Sequence, residues 1–275
     1  FKGRAIQNML NIEPDDSVNA LLRLRGLNDE EFVKSHYVVF ATKNGTVKKT
    51  SLEAYSRPRT NGVNAINIVE GDEVVDVRLT NGKNEIILAN RNGRAVRFDE
   101  DSIRTMGRVS TGVRGMKLDD GDDQVVGMIV VNNAETETVM VVSENGYGKR
   151  SQVEDYRKTN RGGKGVKTFS ITEKTGRLVA IKNVTDDNDL MIINKSGIAI
   201  RLAVSECRVM GRATQGVRLI NLSKKNDVIA SVCKVMSTEK EAEVSGDKDD
   251  ENATPATDVQ ATEAPQTETQ TTETE

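Results

Sequence analysis

Basic side chains recur in this chain at a fixed phase. Lys49, Arg97, Arg150 and Arg201 each stand four residues after a glycine (Gly45, Gly93, Gly146, Gly197), and these glycines are 48, 53 and 51 residues apart. A second set lies shortly downstream in each unit: Arg57 and Arg59, then Arg104 and Arg108, then Arg157, Lys158, Arg161 and Lys164, then Arg208 and Arg212. A third set follows a Gly-Val pair by one residue, as Arg114, Lys167 and Arg218, with Asn64 in the first unit. Such groups break no bonds unaided. Repeated at one phase, they neutralise a polyanion that runs from unit to unit. Double-stranded DNA fits, because Lys and Arg release its condensed counterions and bind it with little regard to sequence. If about eight of them met phosphates, the log–log salt slope would be roughly −7. Single strands fit less well, since they stack on aromatic platforms, and aromatic residues make up 3% of the chain with no Trp. Curving a duplex along the array would cost on the order of 1–6 kcal/mol, which electrostatics of this size can sustain.

One basic residue after a hairpin turn more often keeps an edge strand soluble than touches a ligand. Repetition in four units is what favours DNA. The elements that carry the charge are legible. Each turn glycine follows a run such as Val38-Val-Phe-Ala-Thr-Lys-Asn-Gly45 or Ile86-Ile-Leu-Ala-Asn-Arg-Asn-Gly93. Asn-Gly between apolar runs signals a two-residue hairpin, because the type I′ turn needs positive φ at both central residues. Four consecutive apolar residues before each turn suggest a strand covered on both faces. The landmarks Gly62-Val63, Gly112-Val113, Gly165-Val166 and Gly216-Val217 open alternating stretches, and acidic turns then lead to another apolar strand. A repeat near 50 residues with about four strands reads as one propeller blade. The expected fold is all-β: a propeller-like array over residues 1–236, with a partial first blade (1–36) and four repeats. In a radial array equivalent loops share one rim, so the charge should form a belt.

The net charge of −3 hides a segregation. Residues 237–275 carry twelve acidic and two basic side chains, a net of −10, and the preceding residues carry a net of +7. With hardly any large apolar residue, the tail is expected to be disordered. It could occupy the basic belt in cis or serve only as a solubilising end. Cys207 and Cys233 are too few for a disulfide framework and suit a reducing cytoplasm; both read as small core residues. No apolar run approaches the roughly 18 residues of a membrane helix. The chain opens at Phe1, and we read it as a piece of a longer protein. No nucleophile–base pairing or phosphate-cradling glycine fingerprint is present, His36 stands alone, and Asp119-Asp-Gly-Asp-Asp123 reads as a solvated turn rather than a metal loop. No catalytic residue, metal site or cofactor is assigned.

Several strings resemble one family: Ala41-Thr-Lys-Asn-Gly-Thr-Val-Lys-Lys-Thr50, Met106-Gly-Arg-Val-Ser-Thr-Gly-Val-Arg-Gly115, Asn145-Gly-Tyr-Gly-Lys-Arg150 and Val209-Met-Gly-Arg-Ala-Thr-Gln-Gly-Val217. They resemble the C-terminal domain of the DNA gyrase A subunit. The resemblance implies a β-pinwheel, propeller-like in outline but with strands exchanged between blades. It also implies wrapping of duplex DNA around a positive perimeter and support of ATP-dependent negative supercoiling by a bacterial, cytoplasmic, nucleoid-associated parent. ATP and Mg²⁺, the gyrase B subunit plus a second A subunit would belong to regions of that parent absent here, as would its catalytic tyrosine; Tyr37, Tyr55, Tyr147 and Tyr156 are not that residue. The family's box, Gln-Arg-Arg-Gly-Gly-Lys-Gly, has its nearest match in Asn160-Arg-Gly-Gly-Lys-Gly165, from which DNA contact is carried over to Arg161 and Lys164 only. The A subunit of topoisomerase IV has a related domain, and a propeller could also act as a protein or chromatin interaction platform. A platform would not depend on its basic belt.

Overall fold

The computed structural model describes residues 17–24, 26–57, 59, 61–222 and 227–237. The chain is built on four antiparallel hairpins. They are β1 and β2 (Tyr37–Thr42, Thr46–Ser51), β4 and β5 (Glu85–Asn90, Arg94–Asp99), β8 and β9 (Thr138–Ser143, Tyr147–Gln152), and β12 and β13 (Asn188–Asn194, Ala199–Ala203). Their turn glycines all have positive φ, between 78° and 86°. The loops are not the expected two-residue turns: Ala41 pairs with Val47, Ala89 with Ala95 and Val142 with Gly148, which leaves 43–45, 91–93 and 144–146 as loops, each closed by the glycine amide on the carbonyl of Thr42, Asn90 or Ser143. The glycine takes the left-handed position that ends such a longer loop. Each hairpin then gains an inner strand: β3 (Val74–Thr80), β7 (Val125–Val131), β11 (Leu178–Val184) and β15 (Ile229–Met236) respectively. Successive inner strands pack on one another, giving a four-bladed propeller arrangement.

The opposite edge of a blade is completed by the next repeat. Short strands β6 (Val113–Arg114), β10 (Val166–Lys167) and β14 (Val217–Arg218) pair with β2, β5 and β9 of the preceding blade. The Gly-Val landmarks at 112, 165 and 216 thus open exchanged outer strands, the pinwheel feature. The hairpin carbonyl fixes its register: Gly45 O accepts from the amides of Gly115 and Met116, Gly93 O from Thr168 and Phe169, and Gly146 O from Leu219 and Ile220.

The alternating stretches are shorter as strands than their pattern suggests. Only two residues of each pair in blades one to three, and 63–68 form no strand, leaving Ile68 and Val69 exposed. The fourth blade has three strands among the described residues, β13–β12–β15. A helix absent from the sequence reading, α1 (Glu30–Ser35), starts at Asp29, whose carboxylate accepts from the Glu31 and Phe32 amides. Residues 1–16 of the expected partial blade and the acidic tail from 238 onward lie outside the described residues.

Apolar clusters fill the seams between blades. Val47, Val96, Phe98, Ile103 and Met116 join blades one and two, while Ala95, Val141, Tyr156 and Phe169 join two and three. Leu190, Val204, Cys207 and Ile220 join three and four. Cys233, expected inside, is exposed, because its position on β15 faces away from that seam. The acidic turns are clasps as well as solvated loops: Asp72 accepts from the Asn44 amide at 2.9 Å, and buried Asp123 accepts from Asn90 Nδ2 at 2.6 Å and the Asn92 amide at 3.2 Å.

Candidate nucleic-acid interface

Strand alternation decides where the first basic set goes. Ala95 and Arg97 point to the third blade, Val96 and Phe98 to the first. Arg97 is therefore sunk in a seam, 7% exposed, where it donates to the Val153 and Tyr156 carbonyls at 2.9 and 3.0 Å and pairs with Glu85 at 2.5 Å. Lys49 pairs with fully buried Glu100 at 3.0 Å and lies 4.4 Å from the Tyr37 ring centroid. Arg150 bonds to the Cys207 carbonyl and to Asp186 at 2.6 Å. In each case at least one partner (Glu100, Val153 and Tyr156, or Cys207) lies in or beside the 3₁₀ turn of the next blade: Glu100–Ser102, Val153–Asp155 or Val204–Glu206. Main chain adds to the joint, since the amides of Met106, Thr159 and Met210 donate to the carbonyls of Lys49, Arg97 and Arg150. Lys49, Arg97 and Arg150, expected to touch DNA, are blade-to-blade pins. A charge this well buried must be paired, and each of these spends its bonds within the protein. Arg201, with no described blade beyond it, stays on the surface, bonded to Asp189 at 2.6 Å and to the Met236 carbonyl at 2.8 Å.

The second and third sets sit at the outer edge. Arg114, Lys167 and Arg218 are all exposed on the exchanged outer strands. The loops leading into those strands (104–112, 157–165 and 208–216) expose Arg104, Arg157 and Arg208 fully and Arg108, Arg161 and Arg212 in part. Arg57 and Arg59 are exposed on the corresponding loop of the first blade, and together with Arg108 they line a cavity of about 550 Å³.

Two of the loop arginines link the rim. Arg161 Nη1 donates to the Arg114 carbonyl at 2.9 Å, and Arg212 Nη1 donates to the Lys167 carbonyl at 2.7 Å. Consecutive outer strands are thereby tied end to end. Two predicted contacts carry acidic partners instead: Lys158 bonds to Glu85 at 2.6 Å and Asp99 at 2.9 Å, and Lys164 bonds to Asp119 at 3.0 Å. The Lys164 bond holds the Asp119 carboxyl below its usual range, and the carboxylates of Glu85 and Asp99 raise Lys158. Arg57, Arg59, Arg104, Arg108, Arg114, Arg157, Arg161, Lys167, Arg208, Arg212 and Arg218 have no carboxylate within ion-pair distance among the described residues.

A DNA gyrase C-terminal domain family model, described as a β-propeller, matches residues 36–81, 84–132, 137–185 and 188–233, one match per blade. The chain belongs to the DNA gyrase C-terminal domain family. It is 43% identical over 234 residues to the DNA gyrase A subunit of Staphylococcus epidermidis, covering 85% of this chain and 26% of that protein. The DNA gyrase A subunit of Staphylococcus aureus matches to the same extent. The chain thus spans about a quarter of the length of these relatives. A DNA gyrase A C-terminal domain structure shares the fold with a TM-score of 0.74 at 24% identity, over 86% of this chain and 76% of the other. The C-terminal domain of DNA topoisomerase IV superposes with a TM-score of 0.77 at 28% identity, over 90% and 76%. The pinwheel expected from the family strings is therefore the fold observed.

Two rim cations of this family member escaped the sequence reading. Arg94 opens β5 beside Lys167 in cross-strand register and donates to the Gly165 carbonyl at 3.4 Å; exposed Lys117 has its amide on the Gly163 carbonyl at 2.9 Å. Their signal was present, because Arg94 directly follows a turn glycine and Lys117 lies three residues past Arg114. Among the described residues no helix is long and apolar enough to cross a membrane.

Proposed function

We propose that this chain binds duplex DNA along its outer edge and bends or wraps it, as the C-terminal domain of a gyrase A-type subunit. The observation that carries the reading is the rim itself. The exchanged strands present Arg114, Lys167 and Arg218 at one register, and the loops before them add Arg104, Arg108, Arg157, Arg161, Arg208 and Arg212 with no carboxylate partner. A phosphate backbone passing from blade to blade would meet several of these at once, and affinity from such contacts is salt-dependent and sequence-independent. In the parent protein this domain would support ATP-dependent negative supercoiling in the bacterial cytoplasm at the nucleoid. ATP and Mg²⁺, the B subunit plus a second A subunit would be engaged elsewhere in that parent.

The test is fluorescence anisotropy on a linear duplex with Arg104, Arg157 and Arg208 reversed to Glu. These three are exposed and hold nothing in place, so the fold should survive. Binding should weaken strongly, and undiminished binding would end the belt reading. The likeness to a topoisomerase IV domain supports a second reading, in which the parent is of the topoisomerase IV type rather than the gyrase type. Reconstitution of the full-length parent on relaxed plasmid separates the two: gain of negative supercoils supports the gyrase reading, relaxation alone the other.

A further inference from the structure

Two lysines are buried beneath the rim where two other blades use aliphatic residues. Three residues after the turn glycines stand Lys48, Val96, Lys149 and Ile200, and seven residues beyond those stand Tyr55, Ile103, Tyr156 and Cys207. Lysine and tyrosine occur together in blades one and three; apolar residues occupy both positions in blades two and four. In the second blade the pair is ordinary core, Val96 and Ile103 each being 1% exposed. Lys48 is 0% exposed and Lys149 1%, a placement lysine tolerates only where its ammonium is bonded.

The short bonds of both ammonium groups lead to rim main chain. Lys48 Nζ donates to the Arg108 carbonyl at 2.6 Å and to the Ala65 carbonyl, lies 3.5 Å from Tyr55 Oη, and sits 5.1 Å from the Phe40 ring centroid. Tyr55 Oη donates to the same Ala65 carbonyl at 2.8 Å. Lys149 Nζ donates to the Gly211 carbonyl at 2.6 Å, and Tyr156 Oη meets Thr168 Oγ1 at 2.5 Å. Ala65 and Thr168 occupy the same place, three residues after a landmark glycine. Arg108 and Gly211 lie in the basic loops of the next blade, Gly211 immediately before Arg212. In the second blade Val96 stands at the lysine position, and the loop at 157–165 is held by its own Arg161, which donates to the Ser102 and Arg114 carbonyls.

We propose that Lys48 and Lys149 are positioning residues for duplex DNA, each gripping from beneath the main chain of a basic loop and presenting Arg108 and Arg212 to phosphate. They cannot meet DNA themselves, being sealed from solvent. The loop cations arrive pre-ordered, so binding does not bear the cost of immobilising them. Burial lowers the pKa of both lysines to about 8, as expected of ammonium groups removed from water and held only by neutral acceptors. This inference rests on the DNA-binding reading, and its test separates the two.

The variants are Lys48→Met, Lys149→Met and Lys48→Val with Tyr55→Ile; the last installs the apolar pair the second blade already uses and guards against a misfolded result. Hydrogen exchange of amides 107–112 and 211–216 is measured beside duplex anisotropy across a salt series. Faster exchange in the loop concerned, with affinity lower by about two- to tenfold and an unchanged salt slope, supports the proposal. Unchanged exchange overturns it, as does faster exchange with unaltered affinity. A slope reduced by roughly 0.9 per lysine also overturns it, since it would make these lysines direct phosphate contacts. If the unmutated chain fails to bind duplex, the DNA-binding reading falls and the positioning role in binding falls with it; exchange then reports only whether the lysines hold the loops.

Discussion

Replacing Arg97 by Met should cost stability and leave the salt dependence of DNA binding alone. The side chain is 7% exposed and makes two bonds to carbonyls of the next blade, at 2.9 and 3.0 Å, plus the 2.5 Å ion pair with Glu85. Breaking a buried ion pair ordinarily costs about 3–5 kcal/mol, because a charge is stranded. Here Glu85 keeps Lys158 at 2.6 Å, so the carboxylate is not left alone. The 3.5 Å contact with exposed Glu154 adds little, so what remains is two carbonyls deprived of a charged donor, at about 1.5 kcal/mol each. The expected loss is about 3 kcal/mol, or about 6–12 °C in Tm for a domain of this size. Urea and thermal unfolding measure it, with duplex anisotropy over a salt series as the second readout. Arg157→Ala is the counterpart. Its side chain is exposed and unpaired, so stability should stay within about 0.5 kcal/mol while the salt slope falls by roughly 0.9. An Arg97→Met protein as stable as the parent but with a reduced slope would put Arg97 on the DNA and refute the seam assignment.

Stability should depend on pH through the buried lysines. Lys48 faces Arg108 and the Tyr55 hydroxyl, Lys149 faces Asp155 and Arg212, and burial is the main cause of the fall in each from 10.5 to about 8. Below pH 8 both folded and unfolded chains hold these protons; between 8 and 10.5 only the unfolded chain does, so folding gains stability as pH rises, up to about 3 kcal/mol per lysine over the full window. Urea midpoints at pH 7 and 9.5, below the range where Tyr156, pushed up to about 12, acts in the opposite sense, should rise less in Lys48→Met than in the parent; parallel profiles would contradict this. Gly165→Ala should unseat β10 from β5, since φ is +73° and the added Cβ would strike the Ala95 carbonyl. Gly62→Ala, with φ +71° but nothing within 4 Å, should lose only the backbone cost of about 1–2 kcal/mol; equal urea midpoints for the two would rule out the clash. A chain ending at Met236 should bind duplex more tightly than the full chain, with the larger gain at low salt, and equal affinity at both salt concentrations would exclude competition by the acidic tail.

Much of the fold was legible because the repeat restates it. Asn44-Gly45 and its counterparts require hairpins, and the runs before them require strands covered on both sides. The candidate interface was legible only in part. Arg104, Arg108, Arg157, Arg208 and Arg212 sit in loops, where a cation has little choice but solvent. Arg97 stands in a strand between Val96 and Phe98, where the next side chain always faces the other way, and both faces were buried. A basic residue there had to be paired inside, and the four apolar residues before the turn already hinted that both faces were covered. Lys48 and Lys149 carried no separate signal, because each looks like half of a basic pair on a soluble edge.

The sequence alone determined the repeat, the hairpins, the segregation of charge between body and tail, and the set of cations from which an interface could be drawn. These follow from local chemistry: turn conformations, side-chain alternation and composition act within a few residues. Tertiary structure decided which of those cations reach the surface and which are buried between blades. Strand exchange sends the Gly-Val segments at 112, 165 and 216 to the preceding blade, so the surface that sequence assigns to one repeat is completed by another. The residue four past each of the first three turn glycines meets the next blade rather than solvent, and Lys49, Arg97 and Arg150 are buried there. The phase they share records how blades are joined; the exposed charge without carboxylate partners lies one loop further on.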